Sequence, residues 1–308
     1  MKVVFLGTGD IGLPTLRWLI DVPGIDLLGV VTQPDRPAGR GLKLMPCAVK
    51  ELALARGIRL FQPARVRTPE AVAQIAGLEP DLLVVMAYGQ ILSQELLDVP
   101  KLGALNLHAS LLPRHRGAAP VHAAILVGDE RSGITVMWMD AGLDTGDVLL
   151  AKECAITPED TAGSLHDRLA ELAPLALAEA LQLISAGRTP REKQDDARST
   201  YAPKLTRALG RIDWTRNAED TARTIRGLYP WPGCTTELEL EGGKRLEIKI
   251  HRAAIFDGEP DPAQLRLPCA DGGALELCEV QPAGGKRMGR EEFVRGYKVI
   301  GAPASSRE

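Results

Sequence analysis

Aromatic side chains are scarce in this chain of 308 residues: four Trp, four Tyr and four Phe make up only 4% of it. An array of stacked rings is therefore a poor candidate for its main binding device. A dominant charge is missing too. Lys and Arg number 37 against 40 Asp and Glu, a formal net charge of −3, so no bulk attraction draws the chain to nucleic acid or to a membrane surface. A polyanionic partner would have to be met by a local basic patch. Cysteine is sparse and scattered. Cys47, Cys154, Cys234, Cys269 and Cys278 form no CxxC pair and no Cys/His cluster, so neither a zinc site nor a disulfide framework is expected. Free thiols suit a reducing compartment. No apolar run approaches the ~20 residues that cross a bilayer. The opening Met1-Lys2-Val3-Val4-Phe5-Leu6-Gly7 runs straight into a strand pattern without a signal-peptide core. The expectation is a cytoplasmic protein with no membrane partner.

What is present is an ordinary globular composition, 45% hydrophobic and 25% charged, with a length that suggests two domains on the ~150-residue prior. Val3 to Leu6, Leu27 to Val31, Asp81 to Ala87 and Ala104 to His108 read as buried strands, with helices at Ile11 to Ile20 and Pro69 to Ala76. Buried runs alternating with helices predict an α/β domain: a Rossmann-like, mostly parallel sheet flanked by helices. Ile134 to Met139 and Val148 to Ile156 read as later strands, and Thr161 to Ser185 as a long amphipathic helix. From Gly187 to Thr206 the chain turns polar and proline-bearing, the composition of a linker. Beyond it, a short helix within Arg211 to Thr236 is followed by strands at Thr235 to Leu240, Arg245 to Ile255 and Ala274 to Gln281. Short strands separated by Gly-rich turns predict a small OB-like β-barrel. The expected division is 1–188 for the α/β domain, 189–206 for the linker and 207–308 for the barrel.

The densest chemistry lies in Asn106-Leu107-His108-Ala109-Ser110-Leu111-Leu112-Pro113 and in Asp140-Ala141-Gly142-Leu143-Asp144-Thr145-Gly146. In a strand, residues i and i+2 share a face, so Asn106 and His108 would present an amide and an imidazole side by side. Ser110 to Pro113 breaks the strand and puts the pair at the sheet edge where open parallel sheets bind ligands. Asp144 lies in a glycine-bounded turn that can bring a carboxylate close. Amide, imidazole and carboxylate together suit acyl-group transfer, in which two groups steady an oxyanion and one manages protons. Taken singly, His108 could be a hydrogen-bonded core residue and Asp144 a turn former. Their convergence favours the catalytic use.

Gly7-Thr8-Gly9-Asp10-Ile11-Gly12 matches GxGxxG between a strand and a helix. The acid that would bind a ribose about twenty residues later is displaced, since Asp35 lies beyond Pro34. Glycines for tight strand-to-helix packing are the better reading, and no NAD is expected. The connection from Gln33 to Lys50 exceeds the usual length of about two to six residues. It carries Arg36, Arg40 and Lys43, with Gly39 and Gly41 leaving Arg40 free, which favours a polyanion clamp over a plain solvated loop. Arg114, His115 and Arg116 offer a phosphate or carboxylate contact or mere exposure, and His122 and His166 read as structural. Lys286, Arg287, Arg290, Arg295 and Lys298 gather in one segment that Glu291 and Glu292 dilute.

Ala104 to Pro113 followed by Arg116-Gly117-Ala118-Ala119-Pro120, together with Met139 to Asp147, resemble the two signatures of the 10-formyltetrahydrofolate-dependent formyltransferases. That superfamily shares the Asn, the His and the Asp. Gln33 to Gly41, Tyr201-Ala202-Pro203-Lys204-Leu205 and Pro230-Trp231-Pro232-Gly233 narrow the resemblance to the methionyl-tRNA formyltransferase family, from Met1 to about Gly301. His115 stands where the family often has an aromatic residue, and Leu42 interrupts a more basic loop; both bear on substrate affinity and not on the chemistry. The resemblance implies formyl transfer from 10-formyltetrahydrofolate, a co-substrate, to the α-amino group of methionine on initiator tRNA. The enzyme would be a monomer serving translation initiation, with neither metal nor NAD. Asn106 and a protonated His108 would donate to the oxyanion, each such donor being worth roughly 3 kcal/mol, and Asp144 would relay protons. By the same resemblance, Ser110, Leu111, Leu112 and Pro113 with Met86, Tyr88, Gly89 and Gln90 would form the folate cleft. Arg36, Arg40, Lys43, Lys204, Lys286 and Arg287 would meet the tRNA. The alternatives are a sister enzyme that formylates another amine or hydrolyses the folate, a nicotinamide-dependent dehydrogenase, and a catalytically silent RNA-binding module. The presence of all three catalytic residues counts against the last.

Overall fold

Apolar runs too short for helices and bounded by glycine or proline become the strands of the first sheet in the computed structural model. It describes residues 1–38 and 43–302, without the side chains of 38 and 43. β1 (Lys2–Gly7) leads through a 3-10 turn into α1 (Leu13–Asp21). β2 (Asp26–Val31) leads into a hairpin of β3 (Arg36–Ala38) and β4 (Lys43–Met45), then α2 (Ala48–Ala55). β5 (Leu60–Phe61), α3 (Pro69–Ala76), β6 (Leu82–Met86), α4 (Gln94–Leu97) and β7 (Ala104–His108) continue the alternation. Next come β8 (Arg116–Gly117), α5 (Pro120–Leu126), β9 (Arg131–Trp138), β10 (Val148–Ala155) and the long α6 (Ala162–Ser185). The main sheet has the order β10-β9-β7-β6-β1-β2-β5, parallel from β7 to β5, with β9 and β10 antiparallel. This is the Rossmann-like α/β sheet that the alternation predicts.

The glycine motif serves packing here. A Cβ on Gly7 would stand 2.5 Å from the Phe5 ring, and one on Gly9 would stand 2.9 Å from the Ala87 Cβ. The Thr8 and Gly9 N–H groups both donate to the Ala87 carbonyl, at 3.2 and 3.1 Å. The helix expected from Ile11 begins only at Leu13, because Asp10–Gly12 forms the 3-10 turn that these glycines permit.

Downstream, β11 (Tyr201–Ala202) pairs in parallel with β8. α7 (Ala218–Gly227), β12 (Cys234–Leu240), β13 (Lys244–Phe256), β14 (Arg266–Pro268), β15 (Ala274–Pro282), β16 (Met288–Gly289), α8 (Arg290–Gly296) and β17 (Val299–Gly301) follow. The sheet order β14-β15-β13-β12-β17, with β16 on β15, makes a nearly closed antiparallel barrel. Alternate residues point inward: Cys234, Thr236 and Leu238 of β12 are buried, as are Ile248 and Ile250 of β13. Register shifts after Ile250 bend β13 around the core.

The chain divides into two compact units that are not continuous in sequence. The first holds Met1–Pro120, Arg131–Ala155 and His166–Ala202; the second holds Val121–Glu130, Ile156–Leu165 and Pro203–Glu308. Arg226 Nη1 donates to the Asp160 carbonyl at 2.7 Å and Gly163 N to the Tyr229 carbonyl at 3.0 Å, which draws Ile156–Leu165 into the second unit. The linker expected at 189–206 is instead bound into the first unit as far as Ala202. Trp138 Nε1 donates to the Pro190 carbonyl at 3.0 Å, and Val148 and Glu192 exchange backbone hydrogen bonds. Polar and proline-bearing composition signals a lack of regular structure, not a lack of partners.

His166, half-buried at the side of the glycine-rich turn, has Nε2 3.2 Å from Asp10 Oδ1 and Nδ1 3.0 Å from Asp167 Oδ1. The Asp10 hydrogen bond raises the imidazole above its ordinary 6.5, and the same bond lowers Asp10 below 3.8. The histidine's contribution to stability is complete below pH 6.5 and is lost as pH rises through its raised pKa. The aspartate's is complete above pH 3.8 and is lost as pH falls through its lowered one. Asp10 is largely exposed, so the pair contributes about 0.5 kcal/mol. The difference in Tm between the unsubstituted protein and His166→Ala should be greatest between the ordinary aspartate and histidine values, 3.8 and 6.5, and shrink as pH rises through the raised histidine pKa. A pH-independent difference would assign the effect to packing.

Candidate active site

β7 lies between β6 and β9, with Asn106 opposite Val85 and Met137, and His108 opposite Thr135. The alternation puts Asn106 and His108 on one face at the strand's C-terminal end. The chain then folds back on itself. Thr135 Oγ1 donates to the Ser110 carbonyl at 2.6 Å and accepts from Leu112 N at 3.1 Å, while the buried Ser110 Oγ donates to the Arg114 carbonyl at 2.6 Å. This return brings the His115 carbonyl to His108 Nε2 at 2.9 Å. His115 adopts a positive φ of 60° and donates its N–H to Thr200 Oγ1 at 2.8 Å.

Asp144 stands in a turn built by its neighbours. The Asp140 carboxylate accepts from Gly142 N at 3.0 Å and from Thr145 Oγ1 at 2.8 Å. Gly146 is required by contact: a Cβ there would lie 1.7 Å from the Trp138 carbonyl. Asp144 itself has φ of 54°. Its Oδ2 accepts from Gly117 N at 2.8 Å and lies 3.7 Å from His108 Nδ1, and its Oδ1 accepts from Asn106 Nδ2 at 3.4 Å. Both side chains are nearly buried, His108 at 7% and Asp144 at 13% exposure. A carbonyl can only accept, so His108 Nε2 carries a proton and is committed to His115. Only Nδ1 faces the carboxylate.

Gln194, Thr200, Gly117 and the His115 carbonyl are the site groups that sequence reasoning missed. Gln194 Nε2 donates to the Asp144 and Gly146 carbonyls, both at 2.8 Å. Its Oε1 accepts from Arg116 Nε and Nη2, and Arg116 also pairs with Asp196 at 2.7 Å. Arg116 is thus a structural tie and not a free anion contact. The one sequence signal was indirect: Arg116 and Gly117 belong to the same signature as His108, while Gln194 sat in an apparent linker.

The residues expected to hold folate are placed unevenly. Leu111, Leu112 and Pro113 are half-buried along the returning loop, whereas Ser110 is fully buried. Met86 is also buried, its Sδ 3.6 Å from Thr15 Oγ1. Tyr88 packs among Val4, Leu6 and Leu96, with a hydroxyl that has no partner among the described residues and a pKa pushed up by burial. The position a side chain would take on Gly89 is filled by Gln33 Nε2, at 2.5 Å. Gln90 clamps the neighbouring segment, accepting from Val66 N at 2.8 Å and donating to the Pro63 carbonyl at 3.4 Å. The side chains of Met86, Tyr88 and Gln90 are therefore engaged inward.

Of the expected tRNA contacts, Arg40 and the Lys43 side chain lie outside the described residues. Arg36 is exposed and donates to Gln33 Oε1 at the base of the hairpin. That base is tied down. Gln33 Nε2 donates to the Tyr88 carbonyl at 2.7 Å, and Asp35, paired with Lys50 at 2.7 Å and bonded by Gln62, is held below the usual carboxylate range by those two. Lys204 and Lys286 are exposed. Arg287 is engaged by the Glu279 carboxylate, with Nη2 to Oε2 at 2.6 Å, and lies over the Tyr229 ring.

Residues 1–181 match the model of the formyl transferase family and residues 204–298 that of the formyl transferase C-terminal domain. A methionyl-tRNA formyltransferase of Geotalea uraniireducens is 46% identical over 99% of this chain and 97% of its own length. The chain belongs to the methionyl-tRNA formyltransferase family. Among solved structures, an N-formyltransferase from Helicobacter canadensis, in complex with folinic acid and dTDP-3-aminofucose, aligns with a TM-score of 0.66 at 16% identity, over 90% of this chain and 98% of that one. HypX from Aquifex aeolicus, in complex with tetrahydrofolic acid, aligns at 0.61 and 16% identity over 96% of this chain, which spans about half of HypX, 47%. At such identities the likeness is one of fold.

Gln194→Ala removes both bonds to the Asp144 turn and leaves Arg116 with Asp196 alone. At about 1 kcal/mol per bond lost, formyl-transfer turnover should fall about tenfold or more with an unchanged circular dichroism spectrum. Unaltered turnover would show that the turn holds itself.

Proposed function

We propose that this protein transfers the formyl group of 10-formyltetrahydrofolate to the α-amino group of methionine on initiator tRNA, giving formylmethionyl-tRNA. The observation that carries the reading is full-length kinship with methionyl-tRNA formyltransferases, joined to a carboxylate set between an amide and an imidazole at the end of a parallel strand. The amine attacks the formyl carbon, forming the new C–N bond and a tetrahedral oxyanion. The Asn106 amide and a proton on His108 Nδ1 stabilise that oxygen. Asp144 takes the proton from the attacking amine and returns it to the folate nitrogen as the old C–N bond breaks. Folate is held along Leu111, Leu112 and Pro113 and against the backbone of the Met86–Gln90 turn, with the side chains of Ser110, Tyr88 and Gln90 supporting the walls. The β3–β4 hairpin, with Arg36, Arg40 and Lys43, meets the acceptor end, and Lys204, Lys286 and Arg287 of the second unit meet the stem. Among the described residues no helix is long and apolar enough to cross a membrane, and no group of His, Cys, Asp and Glu is gathered as for a metal ion.

The test is formyl transfer from 10-formyltetrahydrofolate to methionyl initiator tRNA, with elongator methionyl-tRNA, free methionine and amino sugars as parallel acceptors. Selective transfer to the initiator is expected; formylation of an amino sugar alone would move the protein to a sister activity. Asp144→Asn should lower kcat by about 10²–10⁴-fold with tRNA affinity kept, and near-normal kcat would remove its proton role. The apparent affinity for tRNA should fall steeply with salt. A flat salt dependence would remove the phosphate contacts.

A further inference from the structure

Four tyrosines serve this chain, and three are used up by the fold. Tyr88 is in the core, Tyr229 packs edge-on to His251 with Arg287 over its ring, and Tyr297 stacks on Phe293. Tyr201 differs. It is 64% exposed, and among the described residues its hydroxyl and its ring have no hydrogen bond or ring partner. Its place is nevertheless fixed. β11 pairs it with Arg116, and its ring lies over Gly117, where a Cβ would come within 2.7 Å of Cε2. Gly117 has φ of 115°, so only glycine gives this approach without strain. The Cδ2–Cε2 side of the ring is set against the Gly117 main chain, and the residue is otherwise largely exposed.

The ring also stands beside the chemistry. Gly117, beneath it, is the residue whose N–H holds Asp144 Oδ2, and Thr200, next to it in sequence, holds the segment that carries the His115 carbonyl to His108. An amine delivered to Asp144 on an aminoacyl ester brings the terminal nucleoside of its RNA with it, one ester linkage away. An exposed, backed aromatic ring suits an unpaired base, which proteins recognise by stacking. We propose that Tyr201 is a specificity-determining residue that stacks the terminal adenine of the acceptor RNA, orienting the aminoacyl ester toward Asp144. This rests on the reading of the site as a tRNA formyltransferase. A single ring is enough for this purpose in a chain too poor in aromatics for a stacking array.

The experiment compares the unsubstituted protein with Tyr201→Ala and Tyr201→Phe on methionyl initiator tRNA, and measures binding of uncharged initiator tRNA with and without its terminal adenosine. Tyr201→Ala should raise KM for the tRNA about 5- to 100-fold with little change in kcat or in KM for the folate, and Tyr201→Phe should restore it. Removing the terminal adenosine should weaken binding to the unsubstituted protein and leave binding to Tyr201→Ala unchanged. An unaltered KM, or a fall confined to kcat, which a ring merely bracing Gly117 would give, overturns the proposal. Equal sensitivity of both proteins to loss of the adenosine overturns it as well. Absence of transfer by the unsubstituted protein overturns the underlying reading itself.

Discussion

A carboxylate taken almost out of water must be compensated by donors, and the Asp144 carboxylate sets that requirement for the whole site. Its donors come from separate stretches of chain: the Gly117 N–H from β8, the Asn106 amide from β7, and the His108 imidazole opposite Oδ2. Removing such a group from water without partners costs several kcal/mol. The turn, the strand end and the returning loop are therefore stable only in each other's presence. The same arrangement gathers an amide and an imidazole around one carboxylate at the end of β7.

The second dependence is mechanical. β7 ends in an open edge, and nothing in a strand end by itself would hold the imidazole. The loop from Ala109 to His115 does so by returning a backbone carbonyl, with Thr135 stitching the return to the neighbouring strand. The segment around Gln194 to Ala202 then braces both halves, the Asp144 turn through Gln194 and the returning loop through Thr200, which accepts from the His115 N–H. A stretch with little regular structure is thus the outer frame of the site.

The basic hairpin follows the same logic at its root. Gln33, Asp35, Lys50 and Gln62 close a hydrogen-bonded bracket around its base, and Gln33 reaches the Tyr88 carbonyl on the turn that follows β6. Asp35, the acid displaced past Pro34 from the position of a ribose ligand, has its partner in Lys50. The glycines of the first strand-to-helix turn are likewise accounted for by the Phe5 ring and Ala87. These glycines let the first turn pack closely against the chain that follows β6.

The sequence by itself determined the parallel sheet, the barrel and the pairing of Asn106 with His108, because burial and the two-residue repeat of a strand are local properties. β12, β13 and β15 lie within a few residues of their expected spans. The two-residue strands β5, β8, β11 and β16 were invisible, since so short a run carries no periodicity and exists only through its partner. Only the tertiary structure decided which nitrogen of His108 faces Asp144, that Arg116 is a tie, that Tyr88 and Gln90 turn inward, and that Gln194 belongs to the site. Each of these is a hydrogen bond or a packing contact between residues distant in the chain, and residue type does not say which of several possible partners will be near. Composition marked residues 189–206 as a linker, but the bonds that fix Glu192 and Gln194 within it come from Val148, Asp144 and Arg116, and those appear only once the chain has folded.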